Sequence, residues 1–204
     1  MARTGRPRGF DRDEALQQAT HAFWRDGYES TSLAELKASM GDISSPSFYA
    51  AFGSKEALFS EVLEHWIGTH GQALTPLADK SLAPRQAIDQ ALRRSAAMQT
   101  DASHPPGCLL VLSTSTCPPK SAALREQLMA ERKRTQAGLL ACVRRAVARG
   151  DLPDSVKPKA LATTFDTFLQ GMTVMAREGA TLAVLEASIS QMLMLWDTLA
   201  SARA

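Results

Sequence analysis

The stretch Thr31-Ser-Leu-Ala-Glu-Leu-Lys-Ala-Ser-Met-Gly-Asp-Ile-Ser-Ser-Pro-Ser-Phe-Tyr49 decides the fold, because it contains two short helical segments that meet at a glycine. Ser32 and Glu35 have the spacing of a capping box, so the first helix is predicted to open at Thr31 or Ser32. Gly41 can adopt a positive φ without steric cost and is predicted to end that helix.

The second helix of this stretch is predicted to begin near Ser44 or Ser45, with Pro46 in its first turn, where a missing N–H costs nothing. A helix, a glycine turn and a second helix are typical of a helix-turn-helix, whose second helix reads the major groove of DNA. The same pattern also fits a plain helical hairpin. The stretch by itself therefore leaves both interpretations open.

The composition is that of a globular protein, with 204 residues, of which 45% are hydrophobic and 22% charged. No apolar run approaches the roughly 18 residues that a membrane span needs. The basic N-terminus is followed by Asp11, Asp13 and Glu14 and not by an apolar segment, so we expect no secretory signal. Three cysteines without a disulfide framework are typical of a reducing compartment, which predicts a cytoplasmic protein.

The charges are distributed unevenly along the chain. Residues 1–60 contain seven Lys/Arg and eight Asp/Glu, whereas residues 120–149 contain eight Lys/Arg and two Asp/Glu. Residues 1–9, which include Arg6 and Arg8 but no apolar anchor, are interpreted as a flexible basic arm that folds onto DNA, the alternative being a solubilising tail. The basic stretch 120–149 is interpreted as a solvated helix face, the alternative being a second surface for DNA or an anionic ligand.

Helical periodicity continues along the chain and predicts an all-α fold. The apolar run Cys108–Leu112 is long enough for a buried strand, but no second strand exists to pair with it, so a short buried helix is predicted there. Further helices are predicted over about 11–26, 54–70, 83–98, 120–149, 158–178 and 182–199. A helix end is predicted between Gly68 and Pro76.

The two C-terminal helices are the most apolar in the chain, and their apolar faces are wider than one partner within the chain would cover. Two such helices that pair with a copy of themselves form a four-helix interface, so a homodimer is predicted, with a thick monomer core as the alternative. The predicted dimer residues are Phe168, Met175, Leu185, Ile189, Met192, Leu193 and Trp196.

Between Phe10 and Leu63 the chain resembles the TetR family of bacterial transcription regulators, in particular over Gly27-Tyr28-Glu29-Ser30-Thr31-Ser32 and Ser47-Phe48-Tyr49-Ala50-Ala51-Phe52-Gly53-Ser54-Lys55-Glu56-Ala57-Leu58-Phe59. The resemblance implies an all-α homodimer that binds a palindromic operator and usually represses. It also implies that a small molecule enters the C-terminal domain and changes the spacing of the two reading helices.

The resemblance implies DNA-contact roles for residues of the helix-turn-helix. Ser45, Pro46 and Ser47 would face base edges, Tyr49 and Lys55 would hold phosphates, and Thr31 or Ser32 would cap the helix that rests on the DNA backbone. This sequence departs from the family pattern by one residue, because Asp42 lengthens the turn between Gly41 and Tyr49. The choice between Ser44 and Ser45 as the base-contacting serine therefore stays open.

Three segments are predicted. These are a flexible basic arm over residues 1–9, a helix-turn-helix DNA-binding domain over residues 10–67, and a helical effector-binding and dimerisation domain over residues 68–204. The effector pocket is predicted between the helices of the third segment and the helix over 54–70. Its candidate lining residues are Trp66, His70, Met98, Leu109, Leu112, Phe165, Phe168, Leu169 and Met172, whose aromatic and Met content predicts a small apolar or planar ligand.

Enzymatic motifs are not found. His65 and His70 are five residues apart and do not share a helix face as a metal-binding i, i+4 pair would, and no phosphate loop, nucleophile elbow or zinc spacing occurs. The sequence therefore predicts no catalytic residue, no metal and no cofactor.

Two alternatives to a ligand-responsive repressor remain open. Cys108, at the start of an apolar run, is a candidate sensor of electrophiles or of redox state, although buried cysteines are usually inert. The second alternative is a helical interaction protein that does not bind DNA. The predicted partners of the favoured interpretation are double-stranded operator DNA, a second copy of the chain and a small-molecule effector, with no membrane.

Overall fold

The computed structural model describes residues 11–117 and 121–202, and these residues contain α-helices and no strand. The all-α prediction is confirmed. The helices are α1 (Arg12–Asp26), α2 (Leu33–Ser39), α3 (Ser45–Phe52), α4 (Lys55–Gly68), α5 (Pro84–Gln99), α6 (Leu109–Thr116), α7 (Ala122–Ala148), α8 (Pro158–Arg177) and α9 (Leu182–Ser201).

Side-chain caps fix where the N-terminal helices begin. Asp11 caps α1 by accepting hydrogen bonds from the N–H groups of Asp13 and Glu14. Ser32 and Glu35 form the predicted capping box at the start of α2, with both reciprocal hydrogen bonds present. The first helix of the decisive stretch therefore begins where the sequence places it.

The segment after α4 differs from the prediction. A helix end was expected between Gly68 and Pro76, and α4 does end at Gly68, but a 3₁₀ helix over His70–Ala78 follows it directly. Proline is tolerated there because a short 3₁₀ helix leaves many N–H groups without an intrahelical partner. This segment packs against both α4 and α5.

The first hydrophobic core lies around α1 to α4. Phe23, Phe48, Phe59 and Leu63 are fully buried in it, and the rings of Phe23 and Phe59 meet edge to face at 4.9 Å. Apolar residues of α6 and of the first turns of α7 belong to the same core: Leu109, Leu110, Leu124 and Leu128. The predicted short buried helix at 108–112 is confirmed as α6.

The second hydrophobic core lies among α5, α7, α8 and α9 and is mainly aliphatic. Its fully buried side chains include Ile88, Leu92, Val143, Phe165 and Ile189. α7 packs along α8, and α5 packs against α9. No helix within the described part of the chain is long and apolar enough to cross a membrane.

Candidate DNA-binding surface and effector cavity

The turn between α2 and α3 fixes which serine begins α3. Gly41 has φ 81° and Asp42 has φ 55°, which makes Asp42 the one non-glycine residue with a positive φ in the described part of the chain. The additional residue of the turn is therefore accommodated by a second left-handed position, which aspartate tolerates better than most residues. Ile43 then turns inward and is 8% exposed.

Ser44 is the N-cap of α3, and Ser45 is its first helical residue. The Ser44 hydroxyl accepts a hydrogen bond from the N–H of Ser47 and lies 2.9 Å from the Ser47 hydroxyl. The ammonium group of Lys37 donates to the Ser45 hydroxyl at 2.8 Å. The structure thus assigns Ser44 to the helix cap, and it makes Ser45, which is half-buried and bound to Lys37, the first residue of α3.

The exposed side of α3 carries Pro46 and Tyr49, and the Tyr49 side chain is 52% exposed. The next helix begins with Lys55, directly after its N-cap Ser54. The Lys55 ammonium lies 4.6 Å from the centre of the Tyr28 ring, a cation–π geometry. Tyr49 and Lys55 therefore flank the end of α3 and the N-terminus of α4, where N–H groups favour an anion.

Three of the predicted DNA-binding positions need correction or fall outside the described residues. Thr31 is 1% exposed, and its hydroxyl donates to the carbonyl oxygen of Gly27, so its side chain is part of the core and does not face DNA. Ser32, not Thr31, is the helix cap. The arm, with Arg6 and Arg8, lies outside the described residues.

A cavity of about 240 Å³ lies between α4, the 3₁₀ segment, α5, α6, α7 and α8. Four of the predicted pocket residues line it: Trp66, His70, Met98 and Leu169. The surface of the cavity is mainly apolar, and the cavity is large enough for a molecule the size of a single aromatic ring.

The other five predicted pocket residues do not line the cavity. Leu109 is fully buried in the first core, and Leu112 packs against the same core. Phe165 and Met172 are buried in the second core, where the Phe165 ring lies 6.2 Å from Trp196, and Phe168 is half-buried on α8. The prediction failed at these positions because apolar character does not distinguish the cavity side of a helix from its packed side.

Polar side chains that the sequence reasoning missed also line the cavity. Ser95 and Gln99 are four residues apart on α5, and Thr173 lies one turn after Leu169 on α8. Three buried atoms of lining residues have no hydrogen-bond partner among the described residues: Trp66 Nε1, Gln99 Oε1 and Thr173 Oγ1. Buried polar groups without partners are uncommon in folded proteins. Polar residues spaced at four on an otherwise apolar helix face were the signal available in the sequence.

The buried charges near the cavity are paired. The Arg132 guanidinium donates to both carboxylate oxygens of Asp166 at 3.0 and 3.1 Å, and both side chains are almost fully buried. The amides of Gln136 and Gln170 donate to the same carboxylate. Because its partners satisfy Asp166 so fully, the pair contributes no free charge to the cavity.

An aromatic cluster joins the cavity to α1. The His70 ring meets the Trp24 ring edge to face, with a centroid distance of 5.0 Å. The His104 ring stacks on the same Trp24 ring, with a centroid distance of 4.3 Å. Burial, and secondarily the charge of His104, lowers the pKa of His70 to about 4. The imidazole of His70 is therefore neutral near pH 7.

Cys108 lines the cavity and is buried, with 9% of its surface exposed, at the N-terminus of α6. Burial raises the pKa of its thiol to about 11, and the backbone N–H groups of Val111 and Leu110 act in the opposite direction. The three cysteines are all free thiols. No group of His, Cys, Asp and Glu side chains within residues 11–117 and 121–202 is placed to hold a metal ion.

The predicted dimer residues divide between two sides of the terminal helices. Leu185, Ile189, Leu193 and Trp196 are buried in the chain's own core, so they are not available to a partner. Met175 is exposed, and Phe168 and Met192 are half-buried. The apolar side chains exposed on the outer faces of α8 and α9 also include Val174, Leu182, Val184, Met194 and Leu195.

The chain matches known families along most of its length. Residues 15–62 match the model of bacterial regulatory proteins of the tetR family, and residues 84–193 match that of the tetracyclin repressor-like C-terminal domain. The HTH-type transcriptional repressor ComR of Escherichia coli K12 is 33% identical over 198 residues, which cover 96% of this chain and 93% of ComR. BdcR, a second HTH-type repressor of that organism, is 45% identical over 75 residues, which are 37% of this chain and 36% of BdcR.

A solved structure of a full-length relative is also similar. The TetR family transcriptional regulator CifR, in a cysteine mutant complexed with a 26-bp double-strand operator, is 41% identical with a TM-score of 0.83. The alignment covers 94% of this chain and 100% of the CifR chain.

Proposed function

This chain belongs to the TetR family of bacterial regulatory proteins and is a DNA-binding regulator of transcription, and we propose that it is a homodimeric repressor that a small molecule releases from a palindromic operator. The observation that carries the proposal is the exposed start of α3, which presents Pro46 and Tyr49 beside the N-terminus of α4. The family assignment removes the alternative of an interaction protein that does not bind DNA.

In the proposed complex, α3 lies in the major groove, and Ser45, Pro46 and Ser47 face base edges. Tyr49 and Lys55 hold phosphates, while the capped N-terminus of α2 at Ser32 rests near the DNA backbone. Ser44 acts through the cap that fixes the start of α3. The arm, with Arg6 and Arg8, adds contacts to phosphates or to the minor groove.

The operator contact is tested by a gel shift with DNA from upstream of the chain's own gene. Tyr49→Ala and Lys55→Ala should each weaken binding about tenfold across all sequences, because phosphate contacts carry no base specificity. Lys133→Ala, which removes an exposed cation from the basic face of α7, is the matched control and should bind as the unmodified chain does. An equal loss in the control would instead support a second DNA-binding surface on the basic face of α7.

Homodimerisation is proposed through the outer faces of α8 and α9. Met175, Val184 and Leu195 are exposed on these faces, and clustered apolar side chains of this kind are typical of subunit interfaces. Leu195→Glu should give a monomer in analytical ultracentrifugation and lose operator binding. Met129→Glu places the same charge on an exposed methionine of α7 and should leave the dimer intact; a Leu195→Glu protein that remains dimeric would refute this interface.

The cavity is proposed to be the effector site, and α8 connects it to the DNA-binding end. Thr173 lines the cavity, and one turn later the Arg177 guanidinium donates to the carbonyl oxygens of Trp24 and Arg25 at the end of α1. A ligand that shifts α8 would therefore move α1 directly. Arg177→Met should leave ligand binding intact and reduce its effect on operator affinity, and an unchanged effect would contradict this coupling.

A cysteine sensor is a second candidate, because Cys108 lies on the cavity wall. Its raised pKa keeps the thiol protonated near pH 7, so modification requires an electrophile that enters the cavity. If Cys108 is the sensor, Cys108→Ser abolishes release of operator DNA by N-ethylmaleimide, while Cys117→Ser and Cys142→Ser do not. Release that persists in the Cys108→Ser protein removes this candidate.

We propose three segments in the chain. They are an arm over residues 1–9, a DNA-binding domain over residues 10–67, and an effector and dimerisation domain over residues 68–204. The first core crosses the second boundary, because Leu109 and Leu124 pack with residues of α1 to α4. Limited proteolysis should therefore cleave near the arm before it separates the other two segments.

A further inference from the structure

We propose that the cavity binds a neutral molecule with an apolar body and one hydroxyl group, and that Gln99, Thr173 and Trp66 hold that hydroxyl. The inference rests on the proposed function only in treating the cavity as the effector site. The proposed function allows any small apolar or planar molecule. This inference restricts the ligand to a molecule with a group that both donates and accepts a hydrogen bond.

The unsatisfied atoms of the lining determine the polar part of the ligand. Gln99 Oε1 is an acceptor without a donor, Trp66 Nε1 is a donor without an acceptor, and Thr173 Oγ1 can be either. The Gln99 amide is oriented because its Nε2 donates to the Ser95 hydroxyl at 2.8 Å. A hydroxyl group both donates and accepts, so it is the smallest single group that can satisfy either kind of atom when the side chain turns toward the ligand.

The remaining lining determines the body of the ligand. Aliphatic and thioether side chains dominate the wall: Ile67, Leu74, Leu77, Met98, Val111 and Leu169. A dry cavity of about 150 Å³ accepts benzene, so the volume here, about 240 Å³, admits a substituted ring. The ligand therefore buries an apolar body against α4, α5 and the 3₁₀ segment.

The charged groups at the cavity argue against a charged ligand. Three charged side chains of α7 line the cavity: Arg132 is paired with the buried Asp166, and Arg134 is paired with Glu131 at 3.1 Å. His70 and Cys108 are neutral near pH 7 because burial disfavours their charged forms. An ionic ligand would meet no free counter-charge and would lose its hydration, which is costly in a mainly apolar site.

Three ring compounds of similar size distinguish the possibilities: toluene, benzyl alcohol and benzoate. Binding to the full chain without DNA is measured by calorimetry and by thermal shift. Benzyl alcohol should bind about fivefold to tenfold more tightly than toluene, as expected for one or two added hydrogen bonds, and benzoate should give no shift. Equal binding of toluene and the alcohol, stronger binding of benzoate, or no binding of any of the three would overturn the proposal.

Variants locate the preference in the named side chains. Gln99→Leu and Thr173→Val should bring the affinities of benzyl alcohol and toluene within about twofold, while Thr163→Val, on the exposed side of α8, should keep the difference. Thr→Val preserves shape, so a folding defect does not confuse the result. If both cavity variants still prefer benzyl alcohol to toluene, the assignment of the hydroxyl site to Gln99 and Thr173 is refuted. If the unmodified protein prefers benzyl alcohol but binds no operator, the proposed function is contradicted and the hydroxyl site is not.

Discussion

The DNA-binding end and the effector half of the chain use hydroxyl side chains differently. At the DNA-binding end, Ser32, Ser44 and Ser54 each cap a helix, and the Thr31 hydroxyl donates to a backbone carbonyl. In the effector half, the hydroxyl of Thr173 is buried without a partner. All four of these hydroxyl groups of the first region are hydrogen-bonded, whereas the Thr173 hydroxyl of the second region is not.

Apolar side chains show the same contrast. Tyr49 is the one strongly exposed large hydrophobic residue of α1 to α4, but α8 and α9 expose a set that includes Val174, Val184 and Met194. Exposed apolar clusters and unpaired buried polar atoms are both costly in an isolated protomer. The proposed dimer interface and the proposed effector site would both cover features of α5 to α9 that are costly in the isolated protomer.

The largest expected effect concerns the buried ion pair of Arg132 and Asp166 between α7 and α8. Asp166→Ala should lower the free energy of unfolding by about 3–5 kcal/mol, because it leaves the Arg132 guanidinium buried and uncompensated. Asp197→Ala breaks the exposed pair with Arg85 and should cost about 1 kcal/mol or less. Urea unfolding measures the free energy of unfolding of both variants. If the two variants lose similar amounts, burial of the Asp166–Arg132 pair does not increase its contribution to stability.

The next effect is a pH dependence at the aromatic cluster that joins the two regions. The pKa of His70 in the folded chain is about 4, below its ordinary value near 6.5, so the unfolded chain takes up the proton first as the pH falls. The contribution of His70 to the free energy of unfolding should be constant above pH 6.5. It should decrease as the pH falls from 6.5 to about 4. His70→Gln should flatten that part of the stability curve, and an unchanged slope would show that other groups cause it.

A smaller effect is expected where the DNA-binding end satisfies its own N–H groups. Ser44→Ala should cost about 1 kcal/mol of stability, because it removes the N-cap of α3, and operator affinity should fall with it. Ser115→Ala removes an exposed hydroxyl of α6 that only donates to a carbonyl within its helix, and it should have little effect. If Ser44→Ala lowers operator affinity without loss of stability, Ser44 contacts DNA directly.

The smallest effect has opposite signs in the two regions. Thr173→Val should raise stability by about 0.5–1 kcal/mol, because it removes an unsatisfied buried hydroxyl, whereas Thr31→Val should lower it by about 1 kcal/mol, because it removes a made hydrogen bond. Thermal denaturation of the unliganded proteins compares them. The same sign for both variants would refute the contrast between the two regions.

The features that were predictable from the sequence depend on local rules. The capping box of α2, the glycine stop at Gly41 and the proline start of α3 follow from the conformations that these residues prefer within a single turn. The open choice between Ser44 and Ser45 needed tertiary information, because it depends on whether Asp42 adopts a left-handed conformation. Burial of Ile43 in the first core accompanies that conformation and leaves Ser44 as the N-cap of α3, while the identity of the base-contacting serine stays a prediction.

Features that depend on the rotation of one helix against another were not predictable from periodicity. Leu185 and Leu195 are both leucines on α9, yet the first is buried in the protomer and the second is exposed. In the same way, Leu169 faces the cavity and Phe165, one turn earlier, packs against Trp196. When a helix is apolar on most sides, its sequence no longer indicates which side faces which partner.

The shared core of α1 to α4, α6 and the start of α7 has a consequence for how the protein is made. Leu128 belongs to that core, so the DNA-binding end is not complete when residue 67 leaves the ribosome. At about 5–20 residues per second, translation needs roughly 3–12 seconds more to supply the missing side chains. A nascent or prematurely terminated chain would therefore contain the reading helix without a finished core to support it, and occupancy of the operator would begin only after more than half of the chain has been synthesised.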